Sequence, residues 1–264
     1  MSARDRLLEH LDEHCDVLVL DDLARDDWLA AREHGVGASD AAVCLGVSPW
    51  SSPYQRWAER TGVVERRPAT TGMEFGLFVE PFVFSLHERV TGRPAVPAGV
   101  LAVSREHPFM LCTPDAATVD GSELGLIEAK TVGSREARRW GPDTAPVEYV
   151  AQAMHQLIVT RVDFVDLVPF MLDDRVLGDI VRVRYDDTIA RELIAREAEW
   201  WTHVTMNTPP PTDGTVHTER ALLDRWPTHD AGTVRELTDE ERRSWLCAQS
   251  LRQEIADLEA ICRG

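Results

Sequence analysis

Apolar positions along the chain follow two rhythms. Over 71–90, Phe75, Phe78, Val79, Phe82 and Leu86 recur three or four apart, the spacing of one helix face. This predicts a long helix that ends at Gly92, although Pro81 inside it costs about 3 kcal/mol and kinks a helix. Shorter helices are expected over 4–14, 28–32, 54–60, 147–160 and 187–204. Another is expected over 40–45, with Ser39 as its N-cap and Gly46 as its stop. Apolar or alternating runs predict strands over 100–104, 109–113, 124–130, 164–171 and 180–185, with Asp120-Gly121 turning between the second and third. A helix, three strands, a helix and a strand, in that order, describe a layered α/β domain.

Three parts are expected: an acidic lead-in over 1–27, a core domain over 28–208, and a linker with a helical extension over 209–264. The linker opens on Pro209-Pro210-Pro211, and Leu251, Ile255, Leu258 and Cys262 make a stripe on the last helix. That stripe is read as packing on its own domain, with a subunit contact as the sharper alternative. At 264 residues and 44% hydrophobic, the chain can bury a substantial core. No long uncharged apolar run suggests a membrane span, and the start lacks the pattern of a signal peptide, so a cytoplasmic location is expected. Cys15, Cys44, Cys112, Cys247 and Cys262 are dispersed, with no C-x-x-C pair. They read as reduced thiols and not as a disulfide frame, zinc site or iron–sulfur cluster.

The net charge of −17 opposes a nucleic-acid partner, since phosphate binding draws on basic residues. The acids, however, crowd the two ends, while Arg56, Arg60, Arg66, Arg67, Arg135, Arg138 and Arg139 lie between them. A local basic groove on an acidic body is the expectation. One feature stands apart from the charge balance: Lys130 is the only lysine, and every other basic residue among the 28 is arginine. Arginine serves wherever a permanent charge suffices, but not where a compact or proton-releasing group is needed. A functional Lys130 is therefore favoured.

Around that lysine lies Thr113-Pro114-Asp115, then twelve residues, then Glu128-Ala129-Lys130. On a strand, alternate side chains share a face, so Glu128 and Lys130 point together and Ala129 points away. The apolar Leu124-Gly125-Leu126-Ile127 before them suggests a buried central strand. Charges at the end of such a strand are costly unless paired or metal-bound. Asp115, expected at the end of the preceding strand, could be brought beside Glu128 by a hairpin. Two carboxylates suit Mg²⁺, with Mn²⁺ as a possible substitute, and Lys130 would then act on the attacking water. The bland alternative is an Asp115 turn cap and a same-face Glu128–Lys130 ion pair.

These residues, in this order, resemble the PD-(D/E)xK nucleases, and their flanks resemble the YqaJ and lambda-exonuclease group. The flanks are Trp28-x-x-x-Arg32, Gly37-Ala38-Ser39-Asp40-Ala41-Ala42, Leu45-Gly46-Val47-Ser48-Pro49-Trp50, Gly76-x-x-x-Glu80-Pro81 with Thr91-Gly92, and Tyr149-x-x-Gln152-x-x-x-Gln156-Leu157-x-Val159-Thr160. The resemblance covers roughly 28–205. It implies a restriction-endonuclease-like core, a mixed β-sheet flanked by helices. It implies metal ligation by Asp115, Glu128 and the Ala129 carbonyl, with Lys130 acting on the nucleophile, Glu80 as a further active-site acid and Gln152 hydrogen-bonding nearby. It also implies a pocket for a DNA 5′-phosphate built from Arg32, Ser39 and Thr113. His155, a lone histidine on the same helix as Gln152, is read as structural.

The activity implied is a Mg²⁺-dependent 5′→3′ exonuclease on linear duplex DNA in phage-type recombination. The partners implied are DNA ends, a single-strand annealing protein and further copies of the chain in a ring. Two alternatives stand beside it. One is a structure-specific or Cas4-like endonuclease on the same core, the Cas4-like form being disfavoured by the missing cysteine quartet. The other is a non-catalytic DNA-end-binding accessory protein.

Overall fold

The chain opens with helix α1 (Ala3–His14), strand β1 (Cys15–Val19), helix α2 (Arg25–Arg32), the short strand β2 (Val36–Gly37), a 3-10 turn (Ala38–Asp40) and the one-turn helix α3 (Ala41–Cys44). Helices α4 (Pro53–Arg60) and α5 (Thr71–Thr91) precede five strands: β3 (Val96–Pro97), β4 (Val100–Ser104), β5 (Met110–Cys112), β6 (Ala116–Asp120) and β7 (Glu123–Val132). Then come α6 (Ser134–Ala137), α7 (Val147–Thr160), β8 (Phe164–Met171), β9 (Val176–Leu177), β10 (Val181–Val183), α8 (Asp187–Thr205), α9 (Val216–Arg225) and α10 (Asp239–Arg263). This computed structural model describes every residue except Asp22, His229, Asp230, Ala231, Thr233 and Gly264, and every side chain but those of Arg25, Cys262 and Arg263. Asp22 among the N-terminal acids therefore lies outside the described residues, as does the Cys262 side chain at the end of the α10 stripe. No helix among the described residues is long and apolar enough to cross a membrane.

The main sheet runs β10-β8-β7-β6-β3, with β9 on β8, and a smaller sheet runs β1-β4-β5-β2. In the main sheet β7 lies parallel to β8 and antiparallel to β6, so it has a strand on each side. Its continuous apolar run follows from covering both faces. Leu124 and Leu126 join the core shared with α1 and α7, while Ile127 joins Val79, Val83 and Phe84 beneath α5. Helix α7 is buried on most sides because it packs against strands of both sheets and against α8. The result is a mixed sheet flanked by helices, the PD-(D/E)xK-type arrangement that was expected.

The structure departs from the sequence pattern in four places, each with a physical reason. Asp115 does not close the strand before the turn; it precedes β6, an additional strand whose hairpin with β7 turns at Gly121, where φ is +60°. Ser39 is not an N-cap but an exposed residue within the 3-10 turn; Asp40 occupies the cap position, without a side-chain cap bond. The stripe on α5 is rotated: Val79, Val83, Phe84 and His87 are buried, whereas Phe75, Phe78 and Phe82 are exposed.

The N-terminal segment, finally, is not peripheral. Ala3, Leu7 and Leu11 are buried in the main core, and β1 pairs with β4 along its whole length. The chain accordingly forms one compact unit over Met1–Arg225 and a second over Trp226–Gly264, differing from divisions at 27/28 and 208/209. Helix α9, beyond the proline run, belongs to the first unit: Thr218 donates to the N-cap Ser52 of α4 at 2.7 Å, and Ala221 is fully buried.

Gly125 shows how tightly β7 is fitted. The ring of Phe164, its partner across the parallel ladder, occupies the place a Cβ would take. Arg182 then stacks on that ring at 3.6 Å. Gly125→Ala should cost about 1–3 kcal/mol through overpacking, measured by urea denaturation, with the m-value unchanged.

Candidate active site

The far end of β7 carries the charged residues. Register Ala116↔Ile127 in the β6–β7 hairpin brings the residue before β6, Asp115, level with Glu128. Asp115 Oδ2 accepts a hydrogen bond from the Ala129 backbone N–H at 2.9 Å, which ties the carboxylate to β7 directly. Glu128 and Lys130 share the β7 face that looks toward α7. Lys130 Nζ donates to Glu128 Oε1 at 2.5 Å and to Gln152 Oε1 at 3.0 Å, and lies 5.0 Å from the centre of the Tyr149 ring. Gln152 Nε2 donates to the same Glu128 oxygen at 2.6 Å.

The second Glu128 oxygen has its own donor. Gln156 Nε2 reaches Oε2 at 2.5 Å, so the carboxylate is gripped at both ends and is 4% exposed. Gln156 was quoted in the sequence pattern without a role; the signal was its place one turn beyond Gln152, on the Tyr149 side of α7, since positions four apart share a helix face. Neutral amides satisfy the carboxylate without cancelling its charge.

Glu80 arrives from α5, over the opposite face of the sheet, and shares the field of Glu128 and Lys130. Burial, and then the charge of Glu128, push its pKa up to about 7, with Lys130 opposing. Burial also raises Asp115 well above the usual carboxylate range; Glu128 and Glu80 add to this, and Lys130 and the Ala129 N–H oppose it. For Lys130, burial works to lower the pKa, but Glu128, Asp115 and Glu80 outweigh it and the net direction is up. The neighbouring carboxylates thus favour a charged Lys130.

Three carboxylates against one ammonium leave uncompensated negative charge at a half-buried site. That is the condition a divalent cation relieves, and the donors fit a small hard one. Asp115, Glu128 and the Ala129 carbonyl supply oxygen only, and Mg²⁺ needs just one or two carboxylates, because it retains waters. No cluster of three or more His, Cys, Asp or Glu side chains set to hold a metal occurs among the described residues.

The remaining predicted residues lie around the β2–β5 pair. Strand β2 pairs with β5 in parallel, Gly37 against Leu111. Ser39 and Thr113 each lie two residues beyond that pair. The Arg32 guanidinium lies beside Gly37 and over the Trp28 ring, 4.8 Å from its centre. Burial lowers its pKa, Arg56, Arg66 and Arg60 add to this, and Asp40 opposes. No carboxylate is ion-paired with Arg32 among the described residues, and the buried Thr113 hydroxyl has no partner. The neighbouring arginines do not make a free basic groove as expected: Arg56 pairs with Asp40 and Glu59, Arg60 and Arg66 with Glu33, and Arg67 with Glu59.

A central parallel strand pair, a hairpin that delivers Asp115 to Glu128-x-Lys130, and helices on both faces define an α/β fold of the PD-(D/E)xK type. Solved structures share it. An alkaline exonuclease, LHK-Exo, from Laribacter hongkongensis is 22% identical, with a TM-score of 0.56 over 69% of this chain and 93% of that one. The same protein in complex with dAMP gives a TM-score of 0.58 at 22% identity and the same coverage. The chain belongs to the family described as the YqaJ-like viral recombinase domain, which matches residues 27–163. The uncharacterized protein YqaJ of Bacillus subtilis (strain 168) is 24% identical over 241 residues, 90% of this chain and 75% of that protein.

The raised Glu80 pKa makes a stability prediction. Its folded value, about 7, exceeds its ordinary 4.5, so the folded state binds the extra proton between those values and loses stability as pH rises through 7. In EDTA at pH 8, Glu80→Gln should raise the melting temperature by about 2–4 °C. By pH 4.5 the difference should vanish. Equal melting curves at both pH values would show that burial and Glu128 do not raise the Glu80 pKa.

Proposed function

We propose that this chain is a divalent-metal-dependent DNA exonuclease that digests one strand of linear duplex 5′→3′ from an end, in phage-type recombination. The observation that carries the reading is the meeting of Asp115, Glu128 and the chain's only lysine around surplus negative charge at the end of β7. Asp115, Glu128 and the Ala129 carbonyl would hold Mg²⁺, or Mn²⁺ in its place. When bound, such a cation activates a water and polarises a phosphate oxygen.

The chain's own groups would do the rest. Lys130, steered by Glu128 and Gln152, would orient the attacking water and balance charge gathering on the phosphate. Glu80, half-protonated near neutral pH, could exchange a proton with that water. Gln152 would keep Lys130 from collapsing onto Glu128 alone, since it offers the ammonium a second acceptor. Arg32, Ser39 and Thr113 would hold a terminal 5′-phosphate, to which the planar guanidinium of Arg32 is suited by its bidentate fork.

Support for the reaction class comes from the fold shared with the alkaline exonuclease LHK-Exo and from the viral-recombinase character of the family. Direction, a ring-shaped homo-oligomer and a single-strand annealing partner rest on the family resemblance.

Digestion of linear duplex labelled separately at each end tests the reading. Glu128→Gln and Lys130→Ala should each lower Mg²⁺-dependent cleavage by roughly a thousandfold or more, the scale of losing a transition-state contact. Their circular dichroism should match that of the unsubstituted chain. Activity that survives EDTA would sink the proposal. Arg32→Ala should erase a preference for 5′-phosphorylated over 5′-hydroxyl ends; equal loss on both ends would remove Arg32 from that role.

A further inference from the structure

Between Gln152 and Gln156 on α7 lies a histidine that the proposed chemistry does not use. His155 is fully buried, and so is its partner Glu197 on α8. Its Nδ1 lies 2.7 Å from Glu197 Oε1 and its Nε2 lies 2.9 Å from the Leu111 carbonyl oxygen. A carbonyl can only accept, so Nε2 carries a proton. The hydrogen bond at Nδ1 contains a second proton, whichever partner holds it. The ring therefore ties three elements together: α7 with its two glutamines, α8, and β5, which leads through Thr113 and Pro114 to Asp115.

We propose that His155 and Glu197 are a positioning pair for the metal site, fixing β5 against α7 so that Asp115 meets the ligands on β7. Three features favour this over simple packing. A buried acid–base pair is seldom more stabilising than apolar residues of the same volume, so stability alone does not account for it. The pair anchors a backbone carbonyl four residues before Asp115, on the strand the sequence places next to it. Among the described residues Glu197 Oε2 has no hydrogen-bond partner, so the bond to His155 runs through Oε1 alone.

The other charged and titratable groups facing the pair are Asp40, from the 3-10 turn, and Cys44, from α3. Burial works to lower the His155 pKa, but Glu197, the hydrogen bond to it and the Leu111 carbonyl outweigh this and hold it above the ordinary value. The shared proton is therefore held to higher pH than an ordinary imidazole would hold one, and when it leaves, one of the two hydrogen bonds goes with it.

The inference rests on the proposed metal site, and its test reads the site without requiring activity. In the metal-free full-length chain, hydrogen exchange of the Ala129 amide reports the bond to Asp115. The double variant His155→Phe, Glu197→Leu removes both charges and both hydrogen bonds while filling the space. It should unfold cooperatively, yet exchange Ala129 roughly tenfold faster relative to Leu126. It should also need roughly tenfold more Mg²⁺ for half-maximal cleavage. Glu197→Gln, whose amide can donate to a neutral Nδ1 while Nε2–H keeps Leu111, should stay within about twofold of the unsubstituted chain in both measures.

Unchanged Ala129 exchange and Mg²⁺ requirement in the folded double variant would reduce the pair to packing and overturn the proposal. If the double variant does not fold, the pH dependence decides. Ala129 protection in the unsubstituted chain should weaken at alkaline pH, and in Glu197→Gln it should not; identical profiles would overturn the proposal. Absence of Mg²⁺-dependent cleavage in the unsubstituted chain would count against the nuclease reading alone, because the exchange comparison still stands.

Discussion

Glu128 is the carboxylate around which the molecule is arranged. It sits near the end of a strand with neighbours on both sides, 4% exposed, where an unpaired charge is costly. Its oxygens accept from Lys130 and two glutamines. The choice of donors matters. Arginines in place of Gln152 and Gln156 would satisfy the same oxygens and neutralise the carboxylate several times over. Amides orient it and leave its charge available. With Asp115 and Glu80 adding to that charge, the site stays short of positive charge by design of its hydrogen bonds.

Holding such a site together requires pieces from distant parts of the chain. The β6–β7 hairpin supplies Asp115, α7 supplies the amides from one face and α5 supplies Glu80 from the other. The parallel β7–β8 pair fixes the strand at the centre. That pairing needs a crossover, and α7 is that crossover, so the helix carrying the glutamines cannot shift without disturbing the ladder it connects. The same helix bears His155, which extends its grip to β5 and α8.

Much of this was legible in the sequence, and the exceptions share a cause. Glu128 and Lys130 were readable because a period of two places them on one face, and because a lysine-poor chain kept one lysine. The boundaries of α7 were readable because its apolar positions are dense and capped by no conflicting signal. Strand β6 was hidden: Ala116-Ala117-Thr118 has little side-chain bulk and so no visible alternation, yet it is buried for that very reason, lying against β7. On α5, hydrophobicity revealed a helix but not which side would be covered; Phe75, Phe78 and Phe82 were the more conspicuous residues, and the sheet took Val79 and Val83. The N-terminal acids concealed the Leu7–Leu11 spacing that puts α1 in the core. Glu197 could not be assigned to His155 at all, since 42 residues separate them and no local pattern links a helix histidine to a later glutamate.

The acidity of the chain, which weighed against a DNA partner, takes a different meaning at the site. Ion pairs absorb Arg56, Arg60, Arg66 and Arg67, so those arginines build the fold and offer phosphate little. Positive charge for a phosphate could then come from Lys130, Arg32, the exposed Arg135 and Arg138, and a bound cation. Without the cation, protons partly take its place: Asp115 is raised far above its ordinary range and Glu80 titrates at about 7. Proton and dication are then competitors for the same oxygens, because each relieves the same repulsion. Raising pH through about 7 strips the proton from Glu80 and deepens the negative field, so the affinity for a dication should climb through neutrality. The mutual repulsion of these carboxylates is therefore also what would draw a doubly charged ion to them.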